Sequence, residues 1–121
     1  MLILVAHGSR DPQWRSSLEG LAEAVKAKMQ NEEVLIAFMQ FDGPTLSDVV
    51  KEAVQAGHES LRLLPLFMAS AGHVDKDIKP LINDLARTYS GVEFILMTPV
   101  GEDDLFPRLI VDITTAMSGP S

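Results

Sequence analysis

Four times within 121 residues, a short β-prone apolar run gives way to a turn cluster and then to an amphipathic stripe. Few folds accommodate that alternation. Leu2-Ile3-Leu4-Val5-Ala6 is followed by Gly8-Ser9-Arg10-Asp11-Pro12, and Leu18, Leu21, Ala22, Val25 and Met29 then recur at helical steps between about Trp14 and Gln30. Val34 to Met39 repeats the strand, Asp42-Gly43-Pro44 the turn, and Leu46, Val49, Val50, Ala53 and Val54 the stripe, ending near Gly57. Leu61 to Phe67 forms the third run and Met68 to Val74 its loop. Ile78, Leu81, Ile82, Leu85 and Ala86 give the third helix face, with Pro80 in a first turn where no intrahelical N–H is lost. Val92 to Met97, alternating at Glu93, reads as a half-exposed strand. It leads through Thr98 to Asp103 into a last stripe of Leu105, Leu109, Ile110, Ile113 and Met117.

Strands alternating with helices at this spacing require right-handed crossovers, and so a four-stranded parallel sheet with helices on both faces. Order 2-1-3-4 is expected, because it covers both faces and keeps the most apolar strands inside. Pro65 cannot donate to the ladder, so the third strand is expected to lose regular pairing near its carboxyl end. The length predicts a single domain over residues 1–121.

Composition narrows the function. Seventeen acidic against ten basic residues leave a net charge of −7, so no positive field exists to hold a nucleic acid. With no cysteine, thiolate metal sites and thiol nucleophiles are excluded. The first apolar run lacks a basic flank and falls far short of the roughly 20 residues of a bilayer span, so a cytoplasmic protein with no membrane partner is expected.

In open α/β sheets, ligands bind outside the carboxyl ends of the strands, where strand order reverses. His7 follows the first strand directly and His73 lies in the glycine-flanked loop after the third, so order 2-1-3-4 brings both to one crevice. Imidazole accepts a proton near neutrality or ligates a borderline divalent metal. His58 follows Gly57 at a helix C-terminus and is assigned to the helix dipole. Asp11 and Asp75 are read as helix starts. Ser9 and Arg10 offer a hydroxyl and a guanidinium at the start of the first helix, and Lys76 and Lys79 stand near His73 to attract a carboxylated ligand.

His7-Gly8-Ser9-Arg10-Asp11 after an apolar strand, Pro65-Leu66-Phe67-Met68 running into Gly72-His73-Val74, and Asp77-Ile78 beyond resemble the small CbiX-type cobaltochelatases of the sirohydrochlorin chelatase (class II chelatase) family. The resemblance runs from the first strand to about Pro99. It implies a chelatase-like half unit that works as a homodimer and inserts a divalent metal, Co²⁺ or in relatives Fe²⁺ or Ni²⁺, into sirohydrochlorin or a related tetrapyrrole without ATP. No cofactor beyond the substrate metal is implied. By motif position the family's two histidines fall on His7 and His73, as metal ligand and proton acceptor in either order. Gln40 occupies the place where many members carry a Glu, and Asp42 is the nearby candidate to replace that acid. Arg10, Lys76 and Lys79 become candidates to pair with the carboxylates of sirohydrochlorin. Phe67, Met68, Phe41 and Met39 are expected near the cleft mouth.

Two other readings use the same residues. A tetrapyrrole or metal carrier would keep the histidines and lose turnover with the Glu. A phosphate-handling enzyme would use the His7 loop, although Ala6 stands where an Arg-His-Gly phosphohistidine motif has Arg.

Overall fold

The computed structural model describes residues 1–40, 43–72 and 74–117. Its elements are β1 (Leu2–Ala6), α1 (Pro12–Lys28), β2 (Val34–Phe38), α2 (Leu46–Gln55), β3 (Ser60–Pro65), α3 (Lys79–Thr88), β4 (Glu93–Leu96) and α4 (Leu105–Met117). A π-helical turn, Val74–Ile78, runs directly into α3, and a 3₁₀ turn, Val100–Glu102, precedes α4. All pairings are parallel, as the alternation requires, and the order is β2-β1-β3-β4, as expected from the two most apolar strands lying inside.

The period-2 side-chain alternation divides the strands between two cores. Ile3, Val5, Ala37, Leu61 and Leu63 face Val49, Val50 and Ala53 of α2 and Ile82 and Leu85 of α3. Leu2, Leu4 and Val34 point the other way, under Ala22, Val25 and Met29 of α1. β1 is buried along its whole length, as a central strand covered on both faces must be. Each fully buried Leu or Ile contributes about 1.5–3 kcal/mol of transfer free energy, so these two layers dominate the stability.

Local signals place the ends of the elements. Asp11 caps α1 by accepting the Gln13 N–H at 2.9 Å, with Pro12 in the first turn. Thr45 and Asp48 form a reciprocal capping box on α2. At the far end of α2, Gly57 has φ +94°, and the N–H groups of Gly57 and His58 return to the carbonyls of Val54 and Ala53. Pro65 is the last residue of β3. Pairing with β1 continues to it through Val5, whereas the register with β4 stops at Leu63. Pro80 lies in the first turn of α3, where it was expected.

Three expectations are corrected. Leu21 is 43% exposed, because the buried edge of α1 runs through Trp14, Leu18, Ala22, Val25 and Met29 and leaves it to one side. Asp75 does not open a helix as its cap: it sits inside the π-helical turn and pairs with Lys79 at 2.8 Å, one turn on. The stripe of α4 forms a helix but is not covered, since Leu105, Leu109, Ile110 and Ile113 are each more than half exposed.

Candidate functional site

Two backbone approaches build the rim at the carboxyl ends of the strands. Past β1 and β2 the ladder continues into the loops, with the Met39 N–H donating to the Ala6 carbonyl and the Gln40 N–H to the His7 carbonyl, each at 2.9 Å. Gly8, at φ +103°, lies so close that a Cβ there would stand 1.7 Å from the Gln40 carbonyl oxygen. Only glycine fits that crossing, and it fixes His7 and Gln40 side by side. On the other flank the Gly101 N–H donates to the Phe67 carbonyl at 2.9 Å, and a Cβ on Gly101 would meet Met68 backbone atoms at 2.3 Å. Phe67 is buried, and the half-buried His7 ring lies on it with centroids 4.1 Å apart and planes tilted by 47°.

His7 therefore stands at the boundary between two recesses. One, of about 470 Å³, is lined by His7, Met39, Gln40, Lys76, Asp77 and Leu81. The other, of about 370 Å³, is apolar apart from His7, with walls from Leu66, Phe67, Met68, Ala69 and Ala71. The first gathers an imidazole, an amide, an ammonium and a carboxylate. The second offers largely apolar walls beside the same imidazole. An imidazole so placed can hand a borderline cation or accept a proton at the edge of a large apolar ligand.

The sequence-derived candidates distribute as follows. His7, Gln40 and Lys76 meet in the polar recess, and Met39 joins them there. Met68 is exposed at the apolar recess beside Phe67. Ser9 belongs to the helix start, its Oγ accepting the Asp11 N–H at 3.1 Å, and Ser9 and Arg10 lie outside the lining of both recesses. Lys79 is drawn to Asp75 and lines a separate 230 Å³ hollow with Ser70, Thr98 and Glu102. His58 stands at the opposite end of the sheet. Its backbone closes α2, but its ring meets the Glu33 carboxylate at 3.0 Å rather than the helix end alone. His73, Phe41 and Asp42 lie outside the described residues. Asp77 and Leu81 were not singled out as lining residues. The available signal was their spacing, Leu81 falling one turn beyond Asp77 on the helix that Asp77-Ile78 introduces.

The geometry is that of a β-α switch-point site, and comparison with known proteins gives it a family. The family model described as CbiX matches residues 1–115. This chain belongs to the CbiX family. Among relatives, it is 30% identical to the sirohydrochlorin cobaltochelatase of Methanocaldococcus jannaschii, over 92% of this chain and 94% of that protein. It is 29% identical to the chloroplastic sirohydrochlorin ferrochelatase of Arabidopsis thaliana, over 92% of this chain and 49% of the other. A solved CbiX protein from Marinobacter aquaeolei superposes with a TM-score of 0.80 at 36% identity, covering 98% of this chain and 91% of that one. The sirohydrochlorin chelatase SirB of Bacillus subtilis, solved in complex with cobalt, shares the fold with a TM-score of 0.82 at 22% identity. This CbiX chain spans half of its length.

Proposed function

We propose that this CbiX-family chain is a sirohydrochlorin chelatase of the lyase class. It inserts a divalent metal, Co²⁺ foremost and Fe²⁺ or Ni²⁺ in the alternative, into sirohydrochlorin for cobalamin or siroheme synthesis in the cytoplasm. The observation that carries the reading is the position of His7 between a polar recess and an apolar wall. A planar tetrapyrrole rests its face on the Leu66, Phe67 and Met68 side, and the metal arrives from the Gln40, Lys76 and Asp77 side. Insertion exchanges the dication for two pyrrole protons, so charge is balanced without ATP. His7 and, by motif position, His73 divide the tasks of holding the metal and accepting a proton. Lys76 pairs with a ring carboxylate, Ser9 and Arg10 meet others from the loop, and Gln40 hydrogen-bonds without ionising.

One sheet end gives a macrocycle a single wall, and a second copy of the chain supplies the other. The uncovered face of α4 supports this pairing. Four of its exposed apolar residues, Leu105, Leu109, Ile110 and Ile113, share one side of the helix and present on the order of 400 Å², against about 800 Å² per partner in a stable interface. That helix carries only Arg108 and Asp112 as charges, so two molecules of net charge −7 can meet there without opposing their acids.

A carrier reading is favoured by one observation: the recess beside His7 is lined by Gln40, an amide that cannot take up a proton, at the place where many members of the family carry a Glu. Mixing the protein with sirohydrochlorin and Co²⁺ while following the visible spectrum separates the two. A metallation rate above the protein-free control is expected. A bound, unmetallated spectrum at the control rate assigns the chain to carriage instead.

A further inference from the structure

The β2 end raises a problem that the rest of the site answers. Gln40 carries no charge, yet a dication entering a recess lined by an imidazole, an amide and the Lys76 ammonium needs an anion to offset it. Asp11 caps α1, Asp75 pairs with Lys79, Glu102 accepts the Ser70 hydroxyl at 3.2 Å, and Asp103 accepts the Leu105 N–H at 2.8 Å, and none of these four lines the recess. Among the described residues, Asp77 is the one carboxylate that lines the recess shared by His7 and Gln40.

We infer that Asp77 is the anionic oxygen this site presents to the incoming metal, doing from the third βα connection what Gln40 cannot do from the second. The inference rests on the chelatase reading for the identity of the metal, but not on turnover. The connection that bears Asp77 suits the task. It is a π-helical turn, marked by the Asp75 N–H reaching the Ser70 carbonyl five residues back, and such widened turns are concentrated at functional sites. Val74 and Ile78 anchor the turn in the core, holding Asp77 at the surface of the recess between them. The space is adequate: six waters at about 30 Å³ each occupy roughly 200 Å³, less than half of the 470 Å³ available to a hydrated ion. One carboxylate oxygen with imidazole is a donor set for Co²⁺, Fe²⁺ or Ni²⁺ rather than for a soft ion. Lys76, next in sequence, acts in the opposite direction. It holds a ring carboxylate while keeping the metal from binding so tightly that it cannot leave.

The test is Co²⁺ binding by calorimetry without tetrapyrrole, on the full chain. Asp77→Asn, nearly isosteric and on the surface, is expected to weaken Co²⁺ by about 10–100-fold, at least the loss seen when an outer-shell partner of a metal ligand is removed. Lys76→Met is expected to tighten it, and Asp75→Asn to change it less than twofold. Adding Gln40→Glu to Asp77→Asn is expected to restore most of the affinity, which a merely structural Asp77 would not allow. Should Asp77→Asn lose its native circular dichroism, Asp77→Ser replaces it in the same series. Unchanged affinity in a folded Asp77 variant overturns the inference, as does a loss produced by Asp42→Asn in its place. Because no ring is present, a chain that binds Co²⁺ through Asp77 yet never inserts it defeats the enzyme and leaves this inference standing.

Discussion

The two ends of the sheet use the same kinds of residue for different purposes. At the amino end, charged groups are paired off: Glu32 meets Arg62, Glu33 meets His58 at 3.0 Å, and Ser60 donates to Glu93 at 3.2 Å. At the carboxyl end His7, Gln40, Lys76 and Asp77 turn toward one recess. Two histidines illustrate the contrast, His58 fastened to a carboxylate and His7 laid on Phe67 where it lines two recesses. Residue type therefore says little about function until the fold has assigned it an end. The amino end is built to close and the carboxyl end to receive.

A glycine at each end offers the sharpest way to break that comparison. Gly8 and Gly57 both have positive φ, but a Cβ on Gly8 would overlap the Gln40 carbonyl at 1.7 Å, whereas Gly57 has nothing within 4 Å. Gly57→Ala is expected to cost only the left-handed penalty, about 1–2 kcal/mol in urea unfolding. Gly8→Ala adds a backbone displacement and is expected to exceed about 4 kcal/mol or to prevent folding. Equal costs would show that the β1 and β2 loops are not locked together as described.

The histidines give the second contrast. His7→Ala is expected to lower metal insertion by about 100-fold or more, and its loss of the contact with Phe67 is worth about 0.5–1.5 kcal/mol. His58→Ala should leave the insertion rate unchanged and cost about 1 kcal/mol or less, because its pair with Glu33 is exposed. A rate loss in the His58 variant would mean that the amino end takes part in the reaction.

How much of this was legible follows from what periodicity measures. The fourfold alternation, with the most apolar strands placed inside, led to the strand order, and Pro65, Pro80 and Gly57 each marked an element end because their backbone constraints are local. His7 and Gln40 followed from the switch-point rule together with the family resemblance. Other features were beyond reach because they depend on atoms distant in sequence. Nothing around Gly8 announces the Gln40 carbonyl, and nothing around Lys79 says that Asp75 will claim it before a ligand does. The stripe of α4 shows the limit most plainly, since an amphipathic pattern states that a face will be covered and not by what.

That uncovered face is the third place to apply pressure. If two copies meet through it, Ile110→Asp with Ile113→Asp is expected to reduce the mass in light scattering from that of two chains to that of one. Far-UV circular dichroism should be unchanged, because both positions are already half exposed within one protomer. A charge in a shared apolar face costs several kcal/mol of association and almost nothing in a solvated one. A doubly substituted chain that remains paired would move the interface elsewhere, and a wild-type chain of single mass would remove the second wall from the proposed cleft.

The smallest expected effect lies at the amino end and carries a definite sign. The side-chain hydrogen bond from Arg62 holds the Glu32 carboxyl below its usual value of 4.5, against a partial offset from burial. A carboxyl whose folded pKa is depressed binds its proton more readily in the unfolded chain. Its contribution is therefore complete above the unfolded pKa and disappears as the pH falls through the folded one. Wild type is expected to exceed Glu32→Gln by a few tenths to about 1 kcal/mol at pH 7, a discount that reflects the partly solvated pair. The gap should narrow once the pH drops below 4.5 and close under strongly acid conditions, and at neutral pH it should shrink in 1 M salt. A gap that widened on acidification would mean that Glu32 is stabilised in its protonated form, and the amino end would then not be held shut by paired charge.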